Sequence, residues 1–156
     1  MSILAILFLV TVSVSPEGNE KVPFEVYAKG YFVKKKISAL GGPTYLVLQD
    51  KNGYDEVFGV AFVMGGKPKL VEEKLFEGNL ILAVIKSGNA VTTYEVEEVR
   101  RDKGKLILQY KAKDGAPTSA RFSSPLIVSA PRGDYAEVVF VENGKEVGKV
   151  PVKKKP

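Results

Sequence analysis

Ser119, Ser123 and Ser124 are the hydroxyls of this chain that stand closest to nucleophilic chemistry. A serine attacks only when a neighbouring base takes its proton. The sequence contains no His, no Cys and no Trp. It therefore has no imidazole base, no thiolate and no His- or Cys-based metal set. A lysine of lowered pKa is the remaining base, and no lysine stands in a Ser-x-x-Lys arrangement with these serines. Carboxylate pairs could move protons or hold a hard cation, and Glu72-Glu73, Glu97-Glu98 and Asp50/Asp55 are the candidates. Adjacent residues on a strand point to opposite faces, which separates Glu97 from Glu98. Asp50 to Asp55 resembles a calcium loop in part, but Gly53 falls two places early and the closing Glu is missing. That segment reads more simply as a helix entry. These residues predict no catalytic group, no cofactor and no metal site.

Binding chemistry is better represented. Ser87, Gly88, Asn89, Thr92, Thr93 and Tyr94 form a small polar connection between two strongly β-forming segments. Thr118, Arg121 and Ser124 lie in a second polar stretch, from Asp114 to Ser124. Loops held at the end of a rigid sheet are where contact residues concentrate, so these nine residues are the expected partner-binding set. Both loops are expected to join their strands as hairpins. The alternative is a binder of anionic ligands or surfaces through Lys34, Lys35 and Lys36 together with Lys153, Lys154 and Lys155. The net charge of +5 is concentrated there. Nucleic acid is disfavoured as a partner, because no aromatic residue is interleaved with the C-terminal lysines.

The elements that must carry these loops are mainly β. The length of 156 residues fits one domain with a sizeable core. Val22, Phe24, Val26 and Ala28 alternate with polar neighbours, predicting a half-buried first strand. Thr44 to Gln49 is a short second one. Tyr54, Val57, Phe58, Ala61 and Phe62 fall on one helical stripe, predicting a helix over about residues 53–64. Asn52 and Gly53 are its expected caps, and Asp55 and Glu56 sit in its expected first turn. Leu80 to Ile85 is continuously apolar, as a strand covered on both faces would be. Val91 to Val99, Lys105 to Lys111, Leu126 to Val128, Ala136 to Val141 and Glu146 to Val150 are further strands. Asn143-Gly144 is a strong hairpin signal, because a type I′ turn needs positive φ at both positions. The fold class is mainly β (a β-rich α+β arrangement): a twisted antiparallel sheet or sandwich with one packed helix.

Ile3 to Val14 is uncharged and apolar, shorter than the roughly 20 residues that span a bilayer. It fits the apolar region of a secretory signal whose basic leading part is truncated. The expected organisation is a signal peptide over 1–15, a β-rich domain over 22–152 and a basic tail over 153–156. The mature chain is expected to act outside the cytoplasm with no transmembrane span. Lys and Glu dominate the charged residues, a bias of thermophilic proteins.

The order of segments is similar to a known family. Val22 to Gly30, Tyr45 to Phe62, Leu75 to Val84, Tyr94 to Val99, Gly104 to Leu106 and Ser123 to Pro131 follow one another as in the C-terminal domain of PrcB-type proteins. The Ser124-Pro125, Ile127-Val128 and Pro131 positions match best. Of the family's Pro-Thr-Gly-Gly-Tyr turn, Tyr94 is kept. The resemblance covers about residues 22–141. It implies a non-catalytic subunit that binds and stabilises a secreted protease. An accessory or inhibitory protein-binding role, with a peptidase as partner, is therefore expected.

Overall fold

The structure is a computed structural model that describes residues 18–27, 29–34, 37, 42–61 and 65–154. The apolar run Ile3–Val14, Phe62 and the lysines Lys35, Lys36 and Lys155 lie outside the described residues. Among the described residues no helix is long and apolar enough to cross a membrane.

The protein is β-rich, and its core is a sandwich. One sheet holds β1 (Glu20–Lys21), β7 (Thr92–Asp102), β8 (Lys105–Asp114), β10 (Glu137–Glu142) and β11 (Lys145–Pro151), in the order β1-β7-β8-β10-β11. The other holds β2 (Glu25–Val26), β4 (Thr44–Leu48), β6 (Asn79–Gly88) and β9 (Phe122–Pro131), in the order β2-β9-β6-β4. All pairings are antiparallel except β8 with β10. Leu80, Leu82 and Val84 from the second sheet pack with Leu106, Leu108, Tyr110, Val138 and Phe140 from the first.

The central four strands are one long two-stranded ribbon folded over itself. β6 pairs with β9 along its whole length, and β7 pairs with β8. The ribbon's tip is the Lys103-Gly104 turn, with φ of 46° and 74°. The fold-over replaces the ladder with three residues on one leg (89–91) and seven on the other (115–121). Asn143-Gly144, with φ of 50° and 80°, closes the β10–β11 hairpin as its sequence demands.

A third layer covers the outside of the second sheet. It consists of the helix α1 (Lys51–Val57), the single turn α2 (Leu75–Gly78) and the two-stranded pair β3 (Tyr31–Val33) and β5 (Phe58–Val60). Tyr54, Val57, Phe58 and Phe76 pack there against Ile81, Ala83, Ile85 and Ile127. The unbroken apolar run Leu80–Ile85 is thus covered on both faces, as read from its pattern.

Three local expectations are corrected. The helix ends at Val57, and Phe58 is extended at φ −116°, ψ 148°. Phe58 to Val60 instead pair with Val33 to Tyr31. Glycine in a helix interior costs about 1 kcal/mol relative to Ala. Gly59 is needed where it is, because a Cβ there would come within 2.2 Å of the Phe32 ring. The cap is Asp50, whose carboxylate accepts from the Gly53 N–H at 2.7 Å, so Asp55 and Glu56 fall beyond the first turn. Second, the Val22–Gly30 segment is not one strand. It pairs through Glu20–Lys21 with β7, crosses at Pro23, and pairs through Glu25–Val26 with β9. The crossing inverts the expected burial: Phe24 and Val26 are exposed while Tyr27 is buried. Third, a bulge between Val96 and Glu98 breaks the alternation of β7. Val96 and Val99 both reach the inner core, so alternation does not separate Glu97 from Glu98. Their own cations do: Lys111 lies 3.0 Å from Glu97, and Lys21 lies 3.2 Å from Glu98.

Candidate functional site

The two polar loops singled out in the sequence are neighbours at one end of the sandwich. Neither is a hairpin. β6 and β7 belong to different sheets, and so do β8 and β9, so both connections cross from one sheet to the other. The crossings run side by side because they are the two legs of the folded ribbon. The Gly115 N–H donates to the Val91 carbonyl at 2.8 Å, and the Thr118 N–H donates to the Asn89 carbonyl at 2.8 Å.

Below the loops a polar network locks the crossing in place. The Thr92 N–H donates to Ser124 Oγ at 2.9 Å, and the Tyr94 hydroxyl donates to the Ser124 carbonyl at 2.8 Å. Thr92 Oγ1 donates to Asp114 Oδ1 at 2.7 Å, and the Ser87 and Ser123 hydroxyls share a 2.9 Å bond. Burial, above all, holds the Tyr94 phenol well above its ordinary pKa, so it stays a donor. Beneath it, Lys86 on β6 reaches Glu142 on β10 at 2.6 Å, and Tyr110 donates to the other oxygen of Glu142 at 3.0 Å.

The nine expected contact residues therefore divide. Thr92 and Ser124 are buried, Tyr94 is half-buried, and their polar atoms hold the two sheets together. Gly88 is a ladder residue opposite Phe122. Asn89, Thr93, Thr118 and Arg121 are exposed, with Val91 between them at 46% exposure. Ser87 and Asn89 also line a cleft of about 270 Å³, together with Pro43, Lys86, Ala90 and Asp114. Among the described residues no hydrogen bond joins the Ser123 or Ser124 hydroxyl to a lysine ammonium. Lys86, Tyr110 and Glu142 are the members of this end that sequence reasoning missed, and Asp114 entered it only as the start of the second loop. A lone cation closing the apolar run Leu80–Ile85 was the available signal for Lys86.

The lysines of the alternative site are apart in the fold. Lys34 follows β3 in the outer layer and donates to the Asp55 carbonyl. Lys153 and Lys154 follow β11 of the first sheet and are exposed, with the Lys154 ammonium 3.8 Å from Asp134. They line a second cleft, of about 370 Å³, with Arg132. The Arg132 guanidinium is already engaged by the Phe76 and Gln49 carbonyls.

Comparison of this chain with protein-family models, with characterised proteins and with solved structures finds no match.

Proposed function

We propose that this chain is an exported, non-catalytic protein-binding module whose partner is an extracytoplasmic protease, engaged at the crossover end of the sandwich. The observation that carries the binding reading is the division of labour at that end. Thr92, Tyr94, Asp114 and Ser124 brace the two crossings from within. Asn89, Val91, Thr93, Thr118 and Arg121 are left outward on a braced support. Preorganised loops lose little entropy on binding. The resemblance to PrcB-type proteins supports a protease as the partner, in an accessory, stabilising or inhibitory role.

The test is affinity capture of a peptidase from the extracytoplasmic fraction, followed by its activity and thermal half-life with and without this chain. The pair Asn89→Asp with Arg121→Glu is expected to weaken capture and leave the thermal midpoint nearly unchanged, since surface substitutions stay within about 0.5 kcal/mol. Replacing Lys153, Lys154 and Lys155 with Gln is expected to leave capture intact.

The cleft at Arg132, Lys153 and Lys154, which Asp134 also lines, is the observation behind a second reading, as a binder of anionic ligands. Loss of binding with the Gln triple variant, falling steeply with added salt, would establish it instead.

A further inference from the structure

Among the described residues, the first sheet has an unpaired stretch of edge beside the crossover end. β1 is the outer neighbour of β7, but it covers β7 only at Arg101, Arg100 and Val99, where the Val22 N–H donates to the Val99 carbonyl at 2.9 Å. Pro23 follows, has no N–H, and carries the chain away to the other sheet. From Val96 back to Tyr94 no described strand is hydrogen-bonded to the outer side of β7, and at Thr92 that side is met by Ser124 of β9.

The direction of the main-chain groups there follows from two bonds. The Val91 carbonyl accepts from Gly115 on the β8 side, while the Thr92 N–H donates to Ser124 Oγ on the opposite side. Main-chain groups alternate along an antiparallel strand. The N–H and C=O of Tyr94 and Val96 therefore point to the same side as the Thr92 N–H, away from β8; Ser124 takes the Thr92 N–H, and no described group takes those of Tyr94 and Val96. Tyr94 and Val96 turn half-buried side chains toward the inner core. Glu95 and Glu97 project from the other face. Glu97 is taken by Lys111 and Gln109, whereas Glu95 has no ion pair among the described residues.

We propose that this edge accepts an extended peptide as an added β-strand along Tyr94–Val96, with an apolar residue over Tyr94 and Val96 and a Lys or Arg opposite Glu95. The proposal rests on the protein-binding reading and supplies the mode in which the partner is held. An open edge pairs indiscriminately unless it is guarded. Here the guards are the Val96/Glu98 bulge and the acidic residues. A second copy of this chain laid antiparallel on the edge would set glutamates against glutamates, which like-charge pairing disfavours. A basic strand meets no such barrier.

The probe is a synthetic seven-residue peptide of alternating Val and Lys, titrated into the full chain. Amide hydrogen exchange of Tyr94 and Val96 is expected to slow at least about tenfold on saturation, because these N–H groups gain partners. The same peptide N-methylated at alternate residues is expected not to bind. Glu95→Lys is expected to weaken the Lys peptide about five- to tenfold and to favour a Val/Glu peptide instead. Val96→Pro removes an edge donor and is expected to abolish protection at Tyr94. Because that variant bears on the bulge, the N-methylated peptide provides the same test on the unaltered chain. Absence of protection at Tyr94 and Val96 with the unmethylated Val/Lys peptide overturns strand addition, as does equal binding of the N-methylated form. If protection appears instead at Asn89 and Thr118, strand addition fails while the protein-binding reading stands. If no protein partner is captured but the peptide protects the edge, that reading fails and strand addition stands.

Discussion

The Lys86 ammonium on β6 lies 2.6 Å from the Glu142 carboxylate on β10, and joins the two sheets of the sandwich beneath the crossover end. Both side chains are largely withdrawn from water, and Tyr110 donates to the second carboxylate oxygen. Removing one partner leaves the other charge desolvated, which costs more than the pair itself contributes. Glu142→Ala is expected to destabilise the protein by about 2–3 kcal/mol in urea unfolding. Lys86→Met combined with Glu142→Leu is expected to recover much of that loss. An additive double variant would show that the pair carries no coupling.

Tyr54 and Tyr110 give opposite expectations for the same change. The Tyr54 hydroxyl is buried without a hydrogen-bond partner among the described residues, whereas the Tyr110 hydroxyl is bonded to Glu142. Tyr110→Phe is expected to cost about 1–1.5 kcal/mol. Tyr54→Phe is expected to be neutral or stabilising, because it removes a desolvated group that gains nothing in return. Chemical denaturation of both variants decides it, and a loss above about 1 kcal/mol for Tyr54→Phe would contradict the structure.

Stability is expected to fall steeply in alkali. Burial first, then neighbouring charges, push the phenols of Tyr54 and Tyr110 far above their ordinary values. In the unfolded chain they ionise near pH 10. The stabilisation is therefore complete below about pH 10 and is lost as pH rises, because the unfolded state then binds fewer protons. Each phenol contributes a slope of up to about 1.4 kcal/mol per pH unit. On the acid side, hydrogen bonds from Lys111 and Lys105 hold Glu97 and Glu137 below the usual carboxylate range. Their contribution is present above about pH 4.3 and fades as pH falls. Both groups are open to solvent, so that arm is expected to be shallow. Urea midpoints across pH 3 to 12 measure both arms.

Phe58→Ala is expected to cost about 3–5 kcal/mol, since the ring is fully buried against the outer face of the second sheet. A loss below about 1 kcal/mol would place that ring outside the core.

Gly30→Ala is expected to be costly for two reasons. Gly30 has φ +87°, and a Cβ there would come within 2.2 Å of the Pro68 side chain. Strain of this kind exceeds the usual gain of about 0.4–1 kcal/mol from replacing a glycine by alanine. Thermal unfolding of this variant against Gly42→Ala, which has positive φ but open space around it, separates the steric part from the conformational part.

Local chemistry was enough where a residue's demands are met by its own neighbours. Asn143-Gly144 needs left-handed backbone and therefore makes a hairpin. Leu80 to Ile85 has no polar residue to offer water and therefore lies between two layers. Small polar residues at 87–94 and 114–124 mark the ends of strands, and those ends came together. Partner choice was decided only in three dimensions. Phe58 fits a helical stripe and a strand equally well, and β3, 25 residues earlier at Val33, takes its backbone. The segment from Val22 to Tyr27 alternates like one strand, yet serves two sheets in turn. The crossovers at 89–91 and 115–121 read as hairpins because a loop's residues do not record which strand lies beside the next one. That is set by burial of both sheets' inner faces, a sum over contacts distant in sequence. The same sum leaves Tyr94 to Val96 without an outer ladder partner among the described residues.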